Sequence, residues 1–412
     1  MSEASQLRLL SINNYHYRRG GAEVLFLEHN RLFAEHGWDV VPFAMRHPDN
    51  LPSPWSDHFV DEIEFGRAYG MLDKARRAAK IIYSREAQHK VRQLLDAARP
   101  RIAHAHNVYH HISPAIFPVL NAAGVPVVMT VHDLKLACPS YTMLAGDEVC
   151  ERCRGGRIHN VVVNRCIKGS VALSSVVMLE TAVHRALGLY RRCVDRFVVP
   201  SRFYIDKLVE WGWPRERFVH VPNFVDIERL RPTGEPGSGF LYFGRLAPEK
   251  GLPTLIRAAA AAKVAVDIAG SGALQTELQR LADALGARVR FTGHLDETAL
   301  RQAISASRAV VLPSAWYENA PMSILEAYAL GRPAIGSRIG GIPELIRVGE
   351  TGAVFEPGDV EGLAALLTRF AEMPSAGIAR MGAAGRAWVE KDFDRSAYLG
   401  RVLEVYRQLG AW

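Results

Sequence analysis

Short apolar runs recur along the chain, each closed by Gly, Pro or polar residues and most followed by a stretch with helical spacing. In the first half they are Leu7–Ile12, Trp38–Phe43, Arg101–Ala105, Val125–Val131 and Asp195–Pro200. In the second half they are Gly239–Phe243, Val264–Ile268, a run ending at Phe291–His294, and Ala309–Leu312. Continuous apolar runs alternating with helices are the mark of parallel strands buried on both faces. The pattern therefore predicts an α/β protein built from doubly wound parallel sheets. It starts afresh at about residue 239, just after the Pro/Gly-rich stretch Arg231–Gly239, which reads as a linker. Residues 359–412 are helical in pattern, and the last helix carries Tyr398, Val402, Leu403, Val405 and Tyr406.

Ligands of doubly wound sheets collect outside the carboxyl ends of the strands. The first strand runs into Arg18, Gly20 and Gly21 ahead of a helix that ends near Glu35, before Gly37. His104, His106 and Asn107 follow another strand, and His132 and Asp133 follow a third. A histidine placed there, beside an aspartate, suits a general acid or a ligand of sugar hydroxyls, although a lone histidine is often structural. In the second half, Gly244-Arg245 and Lys250-Gly251 put two cations at a strand–loop–helix junction. Arg245 as a bidentate donor and Lys250 as a compact charge suit a diphosphate. Gly270-Ser271-Gly272 offers bare backbone for close approach, and Gly293-His294 and Gly340-Gly341 close further strand ends.

The richest stretch is Ser314–Gly331. It predicts a loop with Trp316, Tyr317 and Glu318, then a helix from Pro321 to a left-handed cap at Gly331. Met322 and Glu326 share one face of that helix. Its first turn offers free N–H groups and the positive dipole end to an anion. Two carboxylates, Glu318 and Glu326, thus flank an anion-attracting helix start. Such a place suits a ligand with both phosphates and hydroxyls, as a nucleotide sugar has.

Composition adds bounds. A chain of 412 residues predicts two domains, and 49% apolar with 23% charged residues is ordinary for a soluble protein. There is no apolar run of about 18 residues, and the first residues lack a basic-then-apolar leader pattern, so the expected location is the cytoplasm. A net charge of +7 fits phosphorylated ligands or an anionic membrane surface. No nucleic-acid partner is expected, because no binding motif and no basic–aromatic alternation is present. Residues 67–95 form a basic helical stretch with Arg67, Lys74, Arg76, Arg77, Lys80, Arg85, Lys90 and Arg92. Peripheral docking to the inner face of an anionic membrane and a plain solvated helix face both remain open for it. Four of the five cysteines cluster as Cys138-x11-Cys150-x2-Cys153-x12-Cys166. They fit a structural zinc, a redox pair or reduced thiols, but not a disulfide scaffold.

Taken together, Gly20-Gly21-Ala22-Glu23, Val131-His132-Asp133, Val198-Val199-Pro200-Ser201, Gly244-Arg245-Leu246 with Glu249-Lys250-Gly251, Gly270-Ser271-Gly272, and Glu318-x7-Glu326 before Gly331-Arg332-Pro333 are in a familiar order. The chain resembles, end to end, the retaining nucleotide-sugar glycosyltransferases of family 4, with the GT-B fold. The resemblance implies two Rossmann-like domains facing a central cleft. Residues 1–218 would form the acceptor-side domain with its cysteine loop at 138–166, 219–390 the nucleotide-sugar domain, and 391–412 a helix crossing back onto the first. It implies that Glu326 holds the ribose, Arg245 and Lys250 the diphosphate, and Gly293–His294 the surroundings of the base. Glu318 and the backbone of Asn319, Ala320, Pro321 and Met322 would meet the transferred sugar and the phosphate. His132 would reach that sugar from across the cleft, and Gly20 and Gly21 would approach the phosphate or the acceptor. Transfer would need no catalytic metal or other cofactor, the departing phosphate helping to deprotonate the acceptor. The implied activity is transfer of a hexose-type sugar to a glycan or lipid-linked acceptor, in cell-envelope or exopolysaccharide synthesis. A nucleotide-sugar epimerase or phosphorylase on the same fold, or a catalytically silent nucleotide-sugar-binding subunit, stand as alternatives.

Overall fold

The structure, a computed structural model, describes residues 7–63, 70–146 and 148–412. The first six residues and Arg67, both used above, lie outside the described residues, as do the side chains of Met71, Leu72, Lys74 and Ala75.

Strands β1 (Arg8–Ile12), β2 (Asp39–Phe43), β3 (Ile102–Ala105) and β4 (Val127–Thr130) come first. A small antiparallel hairpin, β5 (Leu144–Ala145) and β6 (Glu148–Val149), sits in the cysteine loop, and β7 (Arg196–Val199) and β8 (Phe218–His220) follow. All but the hairpin form one parallel sheet in the order β2-β1-β3-β4-β7-β8. β3 and β4 are buried at every position, as helix cover on both faces demands. The second sheet holds β9 (Phe240–Phe243), β10 (Val266–Ala269), β11 (Val289–Gly293), β12 (Ala309–Leu312), β13 (Ala334–Ser337) and β14 (Gly352–Phe355). Its order, β11-β10-β9-β12-β13-β14, is also fully parallel.

Counted within each sheet the orders are 2-1-3-4-5-6 and 3-2-1-4-5-6, two doubly wound arrangements with different switch points. The first sheet reverses between β1 and β3, the second between β9 and β12. Loops at those reversals diverge to opposite sides of the sheet and leave a crevice. The loops that carry Gly20–Gly21 and Asn107 flank one crevice, and those that carry Arg245–Lys250 and Glu318 flank the other.

Each sheet has its own core, around Phe43, Phe117 and Phe197 in the first and Tyr242, Tyr328 and Phe370 in the second. The C-terminal helix Arg395–Gln408 does not join the second core. Its Tyr398, Leu399, Val402, Val405 and Tyr406 pack with Leu9, Phe33, Trp38 and Ile102 against the other face of the first sheet. The two passages between the sheets run side by side: Val225 pairs with Asp394 as an isolated parallel bridge, and Val225 N–H donates to the Phe393 carbonyl at 2.9 Å.

Several expectations shift. The basic stretch is two helices, Met71–Ile82 and Arg85–Ala98, because Ser84 caps the second by accepting from Ala87 N–H at 3.1 Å. β8 continues the first sheet to His220, just past residue 218. The Pro/Gly-rich stretch is not a free linker, since buried Arg332 donates to the carbonyls of Thr233 and Gly234 at 3.1 and 2.9 Å. After Pro343 only a short 3-10 turn forms, Ile342–Leu345.

Candidate active site between the two sheets

A cavity of about 540 Å³ lies between the two domains. From the first domain Gly20, Gly21 and His132 line it. From the second come Arg245, Lys250, His294, Glu318, Asn319, Ala320, Pro321, Met322 and Glu326. Most residues singled out by sequence therefore converge.

Pro321 caps helix Met322–Ala329 without a side-chain hydrogen bond; Ile324 N–H turns back to the Pro321 carbonyl at 3.3 Å, and the N–H groups of Met322 and Ser323 remain available. Glu318, buried in the preceding loop, accepts from Lys250 Nζ and from Ser314 Oγ, both at 2.6 Å on Oε1. Burial alone would raise its carboxyl, but the adjoining ammonium and the hydrogen bonds hold it below the ordinary range. Lys250 also lies 5.2 Å from the centre of the Trp316 ring. Lys250 and Glu318 are thus one ionic unit rather than two independent groups. Arg245 is 70% exposed and pairs with Glu249 at 2.9 Å, a screened pair of little strength that leaves the guanidinium free to turn to a ligand.

Glu326 makes no side-chain hydrogen bond among the described residues. Burial, with the nearby charge of Glu297, pushes its carboxyl up to about 7. An enclosed carboxyl with all its acceptor positions open suits hydroxyl donors. On the opposite wall, burial pushes the His132 imidazole down to about 4, so the ring is neutral at ordinary pH.

The glycines divide into two kinds. A Cβ on Gly21 would meet nothing within 4 Å, so the protein's own packing does not require a glycine there, and its backbone lies open to the cavity. Gly272 does not line the cavity. A Cβ on it would come within 2.2 Å of the Leu246 carbonyl oxygen, so this glycine lets the 270–272 loop pack on the 244–246 loop. Its effect on the site is through the loop that carries Arg245.

Some side-chain contacts around the cleft were not visible in the sequence. Asn319 Nδ2 donates across the cleft to the Val131 carbonyl at 2.8 Å and to the His132 carbonyl at 3.4 Å, while its Oδ1 accepts from Ser201 Oγ at 2.8 Å. One side chain thereby ties the loop after Glu318 to the backbone that holds His132. Asn223 Nδ2 donates to the Ala320 carbonyl at 2.8 Å and fixes the same loop from the interdomain passage. Arg18, named from sequence, turns away to pair with Glu28 at 3.1 Å, and its neighbour Arg19 lines the cavity instead.

The cysteine cluster is not a preformed metal site. Among the described residues, the sole set of three ligand atoms lying within 4.8 Å of one another is His29, His104 and His106, and no thiol set meets that spacing. All five thiols are free, and burial, then Cys138, Cys166 and Cys150, push the Cys153 thiol up to about 12. No thiol trio is thus preassembled for a tetrahedral zinc, although the cysteines lie near enough to act on one another. The loop meets the cavity's rim through Glu151, which accepts from Tyr317 Oη at 2.9 Å and Lys207 Nζ at 2.7 Å.

Two Rossmann-like domains meeting across a polar cleft are the GT-B architecture. Sucrose-phosphate synthase from Thermosynechococcus elongatus is similar over 98% of this chain and 99% of its own, with a TM-score of 0.71 at 21% identity. Anabaena HepE, solved in complex with UDP and glucose, covers 98% and 100% with a TM-score of 0.68 at 18% identity. Residues 19–229 match the model of Glycosyltransferase Family 4, and residues 232–388 that of glycosyl transferases group 1. The chain belongs to Glycosyltransferase Family 4. A glycogen synthase of Mycobacterium tuberculosis is 37% identical over 241 residues, 55% of this chain and 58% of that protein. The GDP-mannose-dependent monoacylated alpha-(1-6)-phosphatidylinositol monomannoside mannosyltransferase of Corynebacterium glutamicum is 34% identical over 225 residues, 48% and 58% of the two chains. The match thus spans less than two thirds of the length of either relative.

Proposed function

We propose that the protein is a retaining, metal-independent glycosyltransferase that moves a hexose-type sugar from a nucleotide diphosphate sugar to a glycan or lipid-linked acceptor, in cell-envelope or exopolysaccharide synthesis. The observation that carries this reading is the Lys250–Glu318 ion pair, set beside the open start of helix Met322–Ala329 and facing His132. Family membership supports it.

In this reading Glu326 accepts from the ribose hydroxyls and His294 lies by the base. Lys250, Arg245 and the first-turn N–H groups of the helix receive the diphosphate. Glu318 and His132 contact the sugar from opposite walls. The bond between the anomeric carbon and the diphosphate oxygen breaks, and an oxocarbenium-like centre and a second phosphate charge develop together. The acceptor oxygen bonds to the same face of that carbon, and its proton passes to the departing phosphate oxygen. The protein's main task is then to stabilise the leaving charge, for which preorganised cations and N–H dipoles are the effective means. No carboxylate need attack, because Glu318 is already committed to Lys250.

A panel of UDP- and GDP-sugars, screened by thermal shift and then for transfer or hydrolysis, tests the proposal. Binding and turnover of at least one donor is the expected result. Binding without turnover would point to a silent subunit, and failure of every nucleotide sugar to bind would overturn the reading.

A further inference from the structure

Behind His132 the first domain holds a run of imidazoles that the proposed chemistry does not use. The rings of His104, His106 and His132 stack in succession, with 5.0 Å between centroids at each step and 25° and 22° between planes. His29, from helix Gly21–Glu35, sets its ring edgewise to the first two, at 78° and 71°. His29, His104 and His106 are completely buried, and burial keeps each well below the ordinary imidazole range. Each is therefore neutral and carries one N–H. Two buried hydroxyls of the C-terminal helix reach this stack: Tyr406 Oη meets His104 Nδ1 at 2.6 Å, and Tyr398 Oη meets His29 Nδ1 at 2.9 Å.

The place of each hydrogen follows from a donor count. His104 is held at both nitrogens, by Tyr406 and by Thr130 Oγ1 at 2.7 Å. His29 Nε2 and His106 Nε2 are buried without partners. One nitrogen each from His29, His104 and His106 lies within 4.8 Å of the others, but with both His104 nitrogens taken the trio offers a cation only two. The remaining contact is His106 Nδ1 to His132 Nε2, at 2.8 Å. If donation ran inward, from His132 to His106 and from His29 to Tyr398, the His106 hydrogen would sit on its partnerless Nε2 and the last on the Tyr398 hydroxyl, whose sole hydrogen bond among the described residues is the one to His29. Two buried donors would be left without acceptors. If it runs outward, from Tyr398 to His29 and from His106 to His132, the last hydrogen is on His132 Nδ1. That nitrogen has no protein partner and His132 lines the cavity, so water or ligand accepts from it. Outward donation gives the His106 hydrogen a partner on His132 and leaves one buried hydrogen, on His29 Nε2, without a protein acceptor, one fewer than inward donation.

We propose that His106 is a positioning residue for His132: its Nδ1–H donates to His132 Nε2, so that His132 presents Nδ1–H to the cleft as a fixed donor. The C-terminal helix anchors the inner end through Tyr398 and Tyr406. His132 is then a hydrogen-bond donor to a ligand hydroxyl, not a base. The kinetic part of this inference rests on the proposed sugar contact of His132, and the tautomer part does not.

The test uses the full chain labelled with 15N-histidine, without nucleotide. Two-bond 1H–15N correlations distinguish the tautomers, and loss of one set in His132→Gln assigns His132. The expected wild-type result is His132 protonated at Nδ1. His106→Phe keeps a stacked ring but removes the donor, and should release His132 to a mixture or to Nε2–H. His106→Asn, whose amide nitrogen falls near the place of Nδ1, should restore the Nδ1–H form. Nδ1–H persisting in a folded His106→Phe, or Nε2–H in the wild type, overturns the proposal. Should His106→Phe fail to fold, the wild-type tautomer decides alone. With an identified donor sugar, His106→Phe should lower kcat/KM at least tenfold with the nucleotide diphosphate Kd within twofold, and His106→Asn should recover most of the loss. Equal loss in both variants overturns the kinetic part.

Discussion

The two walls of the cleft hold polar groups in opposite ways. The second domain's wall is ionic: Lys250 and Glu318 form a tight pair, Arg245 stands beside them, and Glu326 keeps an open carboxyl. The floor of the first domain's wall is neutral, because burial strips charge from His132, His106, His104 and His29, leaving Arg19 on the loop above as its cation. The difference teaches a division of labour. Charge that must meet a charged ligand sits beside a helix start at one switch point, where its desolvation is offset by a partner. Orientation is supplied from the other switch point by uncharged groups, which can be buried deeply and held rigidly at low cost.

The largest break in this comparison should come from Lys250→Ala. It removes charge stabilisation from the leaving group, and roughly a 100- to 1,000-fold fall in kcat is expected. It also strands the buried Glu318, with a loss of about 3 kcal/mol of stability by denaturant titration. Lys250→Ala combined with Glu318→Gln should recover the stability and not the rate. A rate within twofold of wild type in the single variant would remove Lys250 from the chemistry.

Next in size is Asn319→Ala, which cuts the bonds joining the ionic wall to the neutral one. We expect kcat/KM to fall roughly tenfold and stability by about 1–3 kcal/mol, with nucleotide affinity nearly unchanged because the helix start stays in place. An equal fall in nucleotide affinity would show that the side chain serves the ionic wall alone.

Glu326→Gln sharpens the comparison through pH. Burial and Glu297 push the Glu326 carboxyl up to about 7, and in the proposed reading the ribose hydroxyls need it as an acceptor. Nucleotide affinity should therefore rise as pH goes from 6 to 8, and Glu326→Gln should weaken binding and flatten that slope. Because the folded value is raised above the unfolded one, this group's contribution to stability is present at low pH and lost as pH rises through 7. At pH 8 the Gln variant should accordingly be more stable than wild type by about 2 kcal/mol. A stability difference that does not change with pH would contradict the assignment.

The smallest effect concerns the exterior. Arg76, Arg85 and Arg92 are exposed on the two basic helices, Met71–Ile82 and Arg85–Ala98. If these helices dock the protein to anionic lipid, changing all three to Glu should abolish low-salt retention on phosphatidylserine vesicles and leave transfer to a water-soluble acceptor within twofold. Unchanged retention would assign those charges to solvation alone.

How much of this was legible in the chain depends on sequence distance. The ionic wall was legible because Glu318, Pro321 and Glu326 lie in one strand–loop–helix unit, and the Arg245–Lys250 loop has the same form. The neutral wall was half legible. His104, His106 and His132 stand at strand ends, but His29 is hidden in a helix and its partner Tyr398 is 369 residues away. The Asn319 tie escaped because its acceptors, the Val131 and His132 carbonyls, are backbone atoms that no residue type announces. Arg18 and Arg19 could not be told apart by pattern, since the turn before Gly20 decides which one faces the cleft. Four cysteines at zinc-like spacing do come near one another, but no three of their thiols meet the 4.8 Å spacing of a ready ligand set.

The C-terminal helix has a consequence for how the molecule can be divided. It follows the second sheet along the chain but belongs physically to the first, where each of its buried side chains contributes roughly 1.5–3 kcal/mol. The first domain is therefore discontinuous in the gene. A fragment stopping near residue 230 would expose an apolar face beside Leu9, Phe33 and Trp38 and lack the hydroxyls that anchor the histidine run. Supplying residues 391–412 as a separate peptide should rescue such a fragment, whereas the second sheet, with its core drawn from Val225 to Phe393, has no need of the helix Arg395–Gln408.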